Sequence, residues 1–158
     1  MGTTILVVDD HEIVREGVRS LLKESRPEWQ ICGEAANGVE AVAAVQRLHP
    51  DVVILDISMP RMGGLEAAGR ISKLGMGSRV LLFTMHESPR LVIEARDAGA
   101  QGYVLKSDAA RHLVRAIDRL LTGGTFFSGT AADAESQNDS PSSRGILLRL
   151  GLSALPSV

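Results

Sequence analysis

A regular alternation of two patterns, over about the first 125 residues, constrains the fold of this chain more than any other feature. Short apolar runs typical of buried strands alternate with segments in which apolar residues recur at the spacing of a helix face. Strands that alternate with helices favour a parallel sheet covered by helices on both sides. The alternation therefore predicts an α/β fold, doubly wound, with a five-stranded parallel sheet and five helices.

The predicted elements are bounded by turn residues, above all glycines. The apolar runs are TTILVV (3–8), WQICGEA (29–35), DVVIL (51–55), RVLLFT (79–84) and GYVL (102–105). The helical segments are residues 11–24, 38–48, 64–74, 88–98 and 109–121. Ser88 followed by Pro89 is typical of a helix start, because proline is favoured at the first helical position.

Polar side chains follow four of the predicted strands. Asp9 and Asp10 follow the first strand and Asp56 follows the third, while Thr84 ends the fourth and Lys106 follows the fifth. Ligands of open α/β sheets bind beyond the carboxyl ends of the strands. We therefore expect these side chains to converge at one edge of the sheet, although they are far apart in sequence.

Three carboxylates close together need a counterion, and a hard divalent cation is the usual one. Mg2+ fits a site that has few carboxylates and keeps several waters. Lys106 would add a second positive charge, and a metal ion with a lysine is what phosphoryl transfer requires around the transferring group. Asp56 would be the nucleophile, because a carboxylate can attack phosphorus to form an acyl phosphate.

Four blocks of the sequence, in this order and at this spacing, resemble one family. LVVDDHEIVREGV, VVILDISMPRMGGLE, VLLFTMHES and GAQGYVLKS are similar to the receiver domain of two-component response regulators, and the wording is closest to receivers that carry a LuxR-type helix-turn-helix output. The resemblance covers residues 4 to about 128 and implies a flavodoxin-like fold. It also implies a signalling role and a sensor histidine kinase or phosphotransfer protein as partner, with a homodimer as a further expectation.

The resemblance assigns roles residue by residue. It implies that Asp56 is the phosphoacceptor and that Asp9, Asp10, Asp56 and the backbone carbonyl of Ser58 hold Mg2+. Lys106 would contact the phosphoryl group. Thr84 would be the switch hydroxyl and Tyr103 the aromatic ring that follows it, with a signalling face at about 88–121. His11 follows the acids directly, but we interpret it as a loop residue at the site mouth rather than a ligand.

Two other functions fit part of this pattern. A phosphatase of the haloacid dehalogenase type also uses an aspartate nucleophile with Mg2+ and a lysine, but its motif carries a second aspartate two positions on, where this chain has Ser58. The chain is therefore not expected to be a turnover enzyme. A binding-only module that never takes phosphate would not need the complete set of site residues.

The composition changes near residue 123, where the sequence becomes rich in Gly, Ser and Ala. We predict a receiver domain at 1–125, and at 126–158 a linker and a short, disordered C-terminal tail. A truncated LuxR-type regulator that has lost DNA binding is an alternative reading. Residues 129–158 hold only Arg144 and Arg149 as cations, and the net charge is −2, so DNA binding is not expected.

No apolar run is long enough for a membrane helix, and no signal peptide is recognisable, so the cytoplasm is the expected location.

Overall fold

The structure is a computed structural model, and it describes residues 2–128. Strands and helices alternate, as predicted. The strands are β1 (Thr4–Val8), β2 (Gln30–Ala35), β3 (Val52–Leu55), β4 (Arg79–Thr84), β5 (Gly102–Leu105) and β6 (Phe126–Phe127). The helices are α1 (Glu12–Ser25), α2 (Gly38–Leu48), α3 (Gly64–Leu74), α4 (Pro89–Asp97) and α5 (Ala109–Leu121), and a short 3-10 turn at Lys106–Asp108 precedes α5.

All neighbouring strands are parallel and lie in the order β2-β1-β3-β4-β5-β6. The four residues of β3 are all buried, because the strand lies between two neighbours and has helices on both faces. Alternate residues of each strand enter separate hydrophobic clusters. One cluster includes Val53 and Leu55 and packs under α2, α3 and α4, while the other includes Val52 and Ile54 and packs under α1 and α5.

The sheet order reverses beside β1, and this reversal positions the acids. The chain passes from β1 outward to β2 and then returns to β3 on the other side of β1, which leaves a crevice beyond the carboxyl ends of β1 and β3. Val8 is in register with Leu55, and each is followed directly by an aspartate. Thr84 is likewise in register with Leu105, the residue before Lys106. The register therefore brings the predicted side chains to one edge of the sheet.

Within residues 2–128 the sheet has six strands, so the prediction of a five-stranded sheet was one strand short. Phe126 and Phe127 pair with Gly102 and Tyr103 of β5, and the backbone N–H of Ser128 donates to the Tyr103 carbonyl at 2.8 Å. The turn after α5 passes through Gly123, whose φ of +88° favours glycine. Residues 126–128 were predicted to begin the linker, yet they belong to this sheet edge; the tail predicted beyond them lies outside the described residues.

Within residues 2–128, no helix is both long enough and apolar enough to cross a membrane.

Candidate functional site

Three of the predicted side chains are in direct contact at the carboxyl edge of the sheet. The Lys106 Nζ lies 2.8 Å from Asp9 Oδ2 and 3.5 Å from Asp56 Oδ1. Asp9 and Asp56 are 1% and 5% exposed, so both carboxylates are removed from bulk water. Because buried carboxylates of like charge are unfavourable, a shared ammonium between them is the main stabilising partner that the described side chains provide.

The pKa of Asp56 is raised above its usual value. Burial of the carboxyl group is the largest cause, and the negative charge of Asp9 adds to it. The ammonium of Lys106 and a hydrogen bond from the backbone N–H of Ser58 act in the opposite direction without cancelling the rise. Asp56 is therefore a carboxylate whose charge is held in an unfavourable environment, which is common at reactive sites.

Asp9 is held by hydrogen bonds to its backbone and to its carboxylate. Its N–H donates to the carbonyl of Ala35 at 3.0 Å, across from β1 to β2. Its Oδ1 accepts from the backbone N–H of His11 at 2.9 Å, and its carbonyl accepts from Arg15 Nη1 at 2.5 Å. The carboxylate therefore has little freedom to turn away from Lys106.

His11 borders the acidic cluster with its side chain 65% exposed, so it is a loop residue at the site mouth as the sequence indicated, but its ring turns toward the acids. Its Nδ1 is 3.1 Å from Asp10 Oδ1 and 3.3 Å from Asp9 Oδ1. One donor atom from each of Asp9, Asp10, His11 and Asp56 falls within 4.8 Å of the others. Only its position directly after two acids could have indicated this placement, because the direction of a loop side chain has no period in sequence.

The donor set of this cluster fits a divalent cation. Three carboxylates carry three negative charges when ionised, and Lys106 balances one of them. Carboxylate oxygens are the ligands that Mg2+ prefers. Asp9, Asp10 and Asp56 would hold the ion, as the sequence predicts, whereas the predicted contribution of the Ser58 carbonyl stays a prediction.

Thr84 and Tyr103 meet through the backbone of one residue. The Thr84 hydroxyl oxygen accepts from the N–H of His86 at 3.2 Å, and the Tyr103 hydroxyl donates to the carbonyl of the same residue. Both side chains are buried, and burial raises the pKa of Tyr103. The two predicted switch residues are therefore connected by the loop between β4 and α4.

The loop after Asp56 has no room for a side chain at Gly64, the first residue of α3. A Cβ added there would lie 2.1 Å from the carbonyl oxygen of Asp56, and the Gly64 N–H donates to the carbonyl of Ile57 at 2.8 Å. The obstructing atom is backbone, so it cannot move without shifting Asp56 itself.

We expect Gly64→Ala to lower the free energy of unfolding by about 1–3 kcal/mol, the usual effect of overpacking. Gly69→Ala, in the same helix, is the matched control, since nothing lies within 4 Å of a Cβ there. Alanine is the better helix former, so this control should gain about 0.5–1 kcal/mol. Urea denaturation of both variants measures the difference, and equal effects would contradict the close approach at Asp56.

The comparisons with known proteins agree with this fold. The family model described as the response regulator receiver domain matches residues 5–118. The transcriptional regulatory protein YdfI of Bacillus subtilis is 39% identical over 122 residues, which are 77% of this chain and 56% of that protein. The chain spans about half the length of the curated relatives it matches.

Two solved structures are similar over most of the chain. A two-component response regulator of the LuxR family from Aurantimonas sp. SI85-9A1 has a TM-score of 0.78 at 37% identity and covers 88% of this chain and 98% of its own. The isolated receiver domain of RcsB from Salmonella enterica serovar Typhimurium, solved with the phosphomimetic BeF3−, has a TM-score of 0.73 at 25% identity, and the match covers 81% of this chain and 94% of that one.

Receivers of this type are signalling proteins rather than turnover enzymes, which confirms that expectation and leaves the phosphatase reading without support. The match over residues 5–118, together with relatives of the LuxR and NarL type, shows that this chain belongs to the response regulator receiver domain family.

Proposed function

We propose that this chain receives a phosphoryl group on Asp56 from a phosphohistidine of a partner histidine kinase or phosphotransfer protein. The observation that supports this most is the position of the Lys106 ammonium, 3.5 Å from an Asp56 oxygen and 2.8 Å from Asp9. The same amine that reduces the repulsion between the carboxylates can contact the oxygens of an incoming phosphoryl group. The cytoplasm, where such a donor would meet the chain, is the proposed location.

The proposed transfer makes one bond and breaks one. A carboxylate oxygen of Asp56 attacks phosphorus, the phosphorus–nitrogen bond of the phosphohistidine breaks, and the imidazole of the donor leaves with that electron pair. Mg2+, when bound, would neutralise negative charge on the phosphoryl oxygens. Asp9, Asp10 and Asp56 would hold the ion with the Ser58 carbonyl, while Lys106 orients the group and balances part of its charge.

The proposed signal leaves the site through Thr84. An acyl phosphate adds about 1.5 to 2 negative charges, and it would draw the Thr84 hydroxyl away from the N–H of His86. Tyr103 bonds the carbonyl of that same residue, so loss of one bond would release the other. The equilibrium between two arrangements of the face at about 88–121 would then shift.

The partners of this face are proposed to be proteins. Residues 129–158, which follow this face in the sequence, contain only Arg144 and Arg149 as cations. This segment therefore offers little attraction for DNA phosphates. A second copy of the chain is one such partner, and DNA binding is not part of the proposal for these 158 residues.

Phosphoryl incorporation from a small-molecule phosphodonor tests the proposal. We expect the full chain to gain one phosphoryl group in Mg2+ and none in EDTA. Peptide mapping by mass spectrometry should place the group on Asp56, and the exposed Asp51 in the same peptide region serves as internal control. We also expect the tyrosine absorbance spectrum to change on incorporation. Tyr103 is the single tyrosine, so that signal can be assigned to it. Modification elsewhere, or none in a Mg2+-bound chain, would refute the phosphoacceptor role.

A further inference from the structure

The imidazole of His11 faces into the acidic cluster rather than away from it. We propose that His11 is a ligand of the divalent cation, in addition to the three aspartates, and that its nitrogen lets this site take transition-metal ions such as Ni2+ and Co2+ as well as Mg2+. The inference rests on the metal site of the proposed function and concerns which ions that site selects.

The distances around the imidazole suit neighbouring positions of one coordination shell. Metal–donor bonds of about 2.1 Å in octahedral geometry place adjacent donors about 3.0 Å apart and opposite donors about 4.2 Å apart. The His11 Nδ1 lies 3.1 Å from Asp10 Oδ1 and 3.3 Å from Asp9 Oδ1. All four candidate donors fall within 4.8 Å of one another, so small side-chain adjustments would bring them into one shell, with water in the remaining positions.

The backbone of His11 is fixed in the position that this requires. Its N–H donates to Asp9 Oδ1 at 2.9 Å, and its carbonyl accepts from the N–H groups of Val14 and Arg15 in the first turn of α1. The ring itself is exposed over 65% of its side-chain surface, so an ion can reach Nδ1 without local unfolding. The residue therefore combines a held backbone with an accessible donor atom.

Ligand chemistry predicts a selective effect. Mg2+ is a hard ion that prefers oxygen, whereas imidazole suits Ni2+, Co2+ and Zn2+. Any site binds Ni2+ more tightly than ions earlier in the transition series, so affinity alone identifies no ligand. The change in the ratio of Ni2+ to Mg2+ affinity, when only the imidazole is removed, does identify it.

A different role for His11 makes the opposite prediction. If the ring is protonated and only pairs with Asp9 and Asp10 as a cation, it competes with every metal ion. Its removal would then strengthen the binding of Mg2+ and Ni2+ alike, because the carboxylates would lose a positive partner. A ligand and a competing cation are therefore distinguished by the sign of the effect.

The experiment is calorimetric titration of the untagged full chain with Mg2+ and with Ni2+. We expect His11→Ala to weaken Ni2+ binding and to lower the ratio of Ni2+ to Mg2+ affinity by at least about tenfold, the scale of losing one metal-site partner. The visible spectrum of the Co2+-loaded protein should also change in this variant, since one nitrogen ligand is lost.

His49→Asn is the matched control for adventitious binding to a surface histidine. His49 is exposed at the end of α2, before β3 begins, and asparagine tolerates its φ of 49°. An unchanged affinity ratio in His11→Ala, or tighter binding of both ions, would overturn the role of His11 while the proposed function stands. Absence of Mg2+ binding to the unsubstituted chain would instead refute the proposed metal site.

Discussion

Replacing Asp56 with asparagine is expected to abolish phosphoryl incorporation and to raise the melting temperature of the metal-free protein. The amide has no anionic oxygen to attack phosphorus, so incorporation should fall to background. The same change removes a charge that burial and Asp9 make unfavourable, as the raised pKa of Asp56 indicates. Lys106 keeps its 2.8 Å contact with Asp9 in the variant, so no ammonium is left without a partner.

The stabilisation should depend on pH with a definite sign. Because the pKa of Asp56 is raised in the folded state, the folded chain binds more protons than the unfolded chain between the two pKa values. The stability of the unsubstituted protein in EDTA therefore falls as pH rises from about 4 through the raised pKa. Asp56→Asn lacks this loss, so its advantage should grow with pH to the order of 1 kcal/mol.

Mg2+ should reduce that advantage, because an ion that binds only the folded protein stabilises the form with the complete carboxylate set. Asp51→Asn is the matched control at the other end of β3. Asp51 is exposed and accepts from the Thr4 N–H at 2.9 Å and the Thr4 hydroxyl at 3.2 Å, so its loss should lower stability and leave incorporation intact. A lower melting temperature for Asp56→Asn in EDTA would contradict the electrostatic account of the site.

Sequence patterns predicted most elements because each had local signals. α2 begins at Gly38, as predicted, because the side chain of Asn37 accepts a hydrogen bond from the Glu40 N–H. α3 ends at Leu74, as predicted, because Gly75 follows it in a left-handed conformation. Residues 88–98 were predicted for α4, which runs from Pro89 to Asp97, with Ser88 as its N-cap. Strand-end positions were predictable because parallel strands end at a common edge.

Two features escaped prediction for the same physical reason. Neither produces a repeating pattern of apolar and polar residues in the sequence. The ring of His11 is oriented by its neighbours in a loop, and only coordinates show that Nδ1 approaches two carboxylates. β6 has two residues, too few for alternation to be visible, and it lies among small and polar residues that favoured a linker. The site residues at the ends of the strands could be placed from sequence, but the contacts of the His11 ring and the pairing of β6 could not.

β6 lies at the edge of the sheet and places one phenylalanine on each face. Phe127 is 1% exposed in the cluster that contains Tyr103, and the Arg96 guanidinium lies 4.2 Å from its ring centroid. Phe126 enters the opposite cluster, where the His112 ring stands at 5.5 Å. The N–H of Leu105 also donates to the hydroxyl oxygen of Ser128 at 3.2 Å, so the side of β5 that faces away from β4 depends on these residues for its hydrogen bonds.

We therefore expect Phe127→Ala to lower the free energy of unfolding by about 3–5 kcal/mol, as for other buried phenylalanines. For a domain of this size the melting temperature should fall by more than about 10 °C. Ile93→Ala is the control, because Ile93 is 61% exposed on α4 and its loss should change stability by less than about 0.5 kcal/mol.

Two truncations then locate the end of the folded unit. A chain that ends at Ser128 is expected to melt with the full chain, whereas one that ends at Thr125 loses both phenylalanines and leaves the Gln101 and Tyr103 carbonyls without their N–H donors from residues 126 and 128. The second loss should exceed that of Phe127→Ala, because burial and hydrogen bonds are removed together. Equal melting of the two truncated chains would mean that β6 adds nothing to stability and that the domain ends at residue 125 after all.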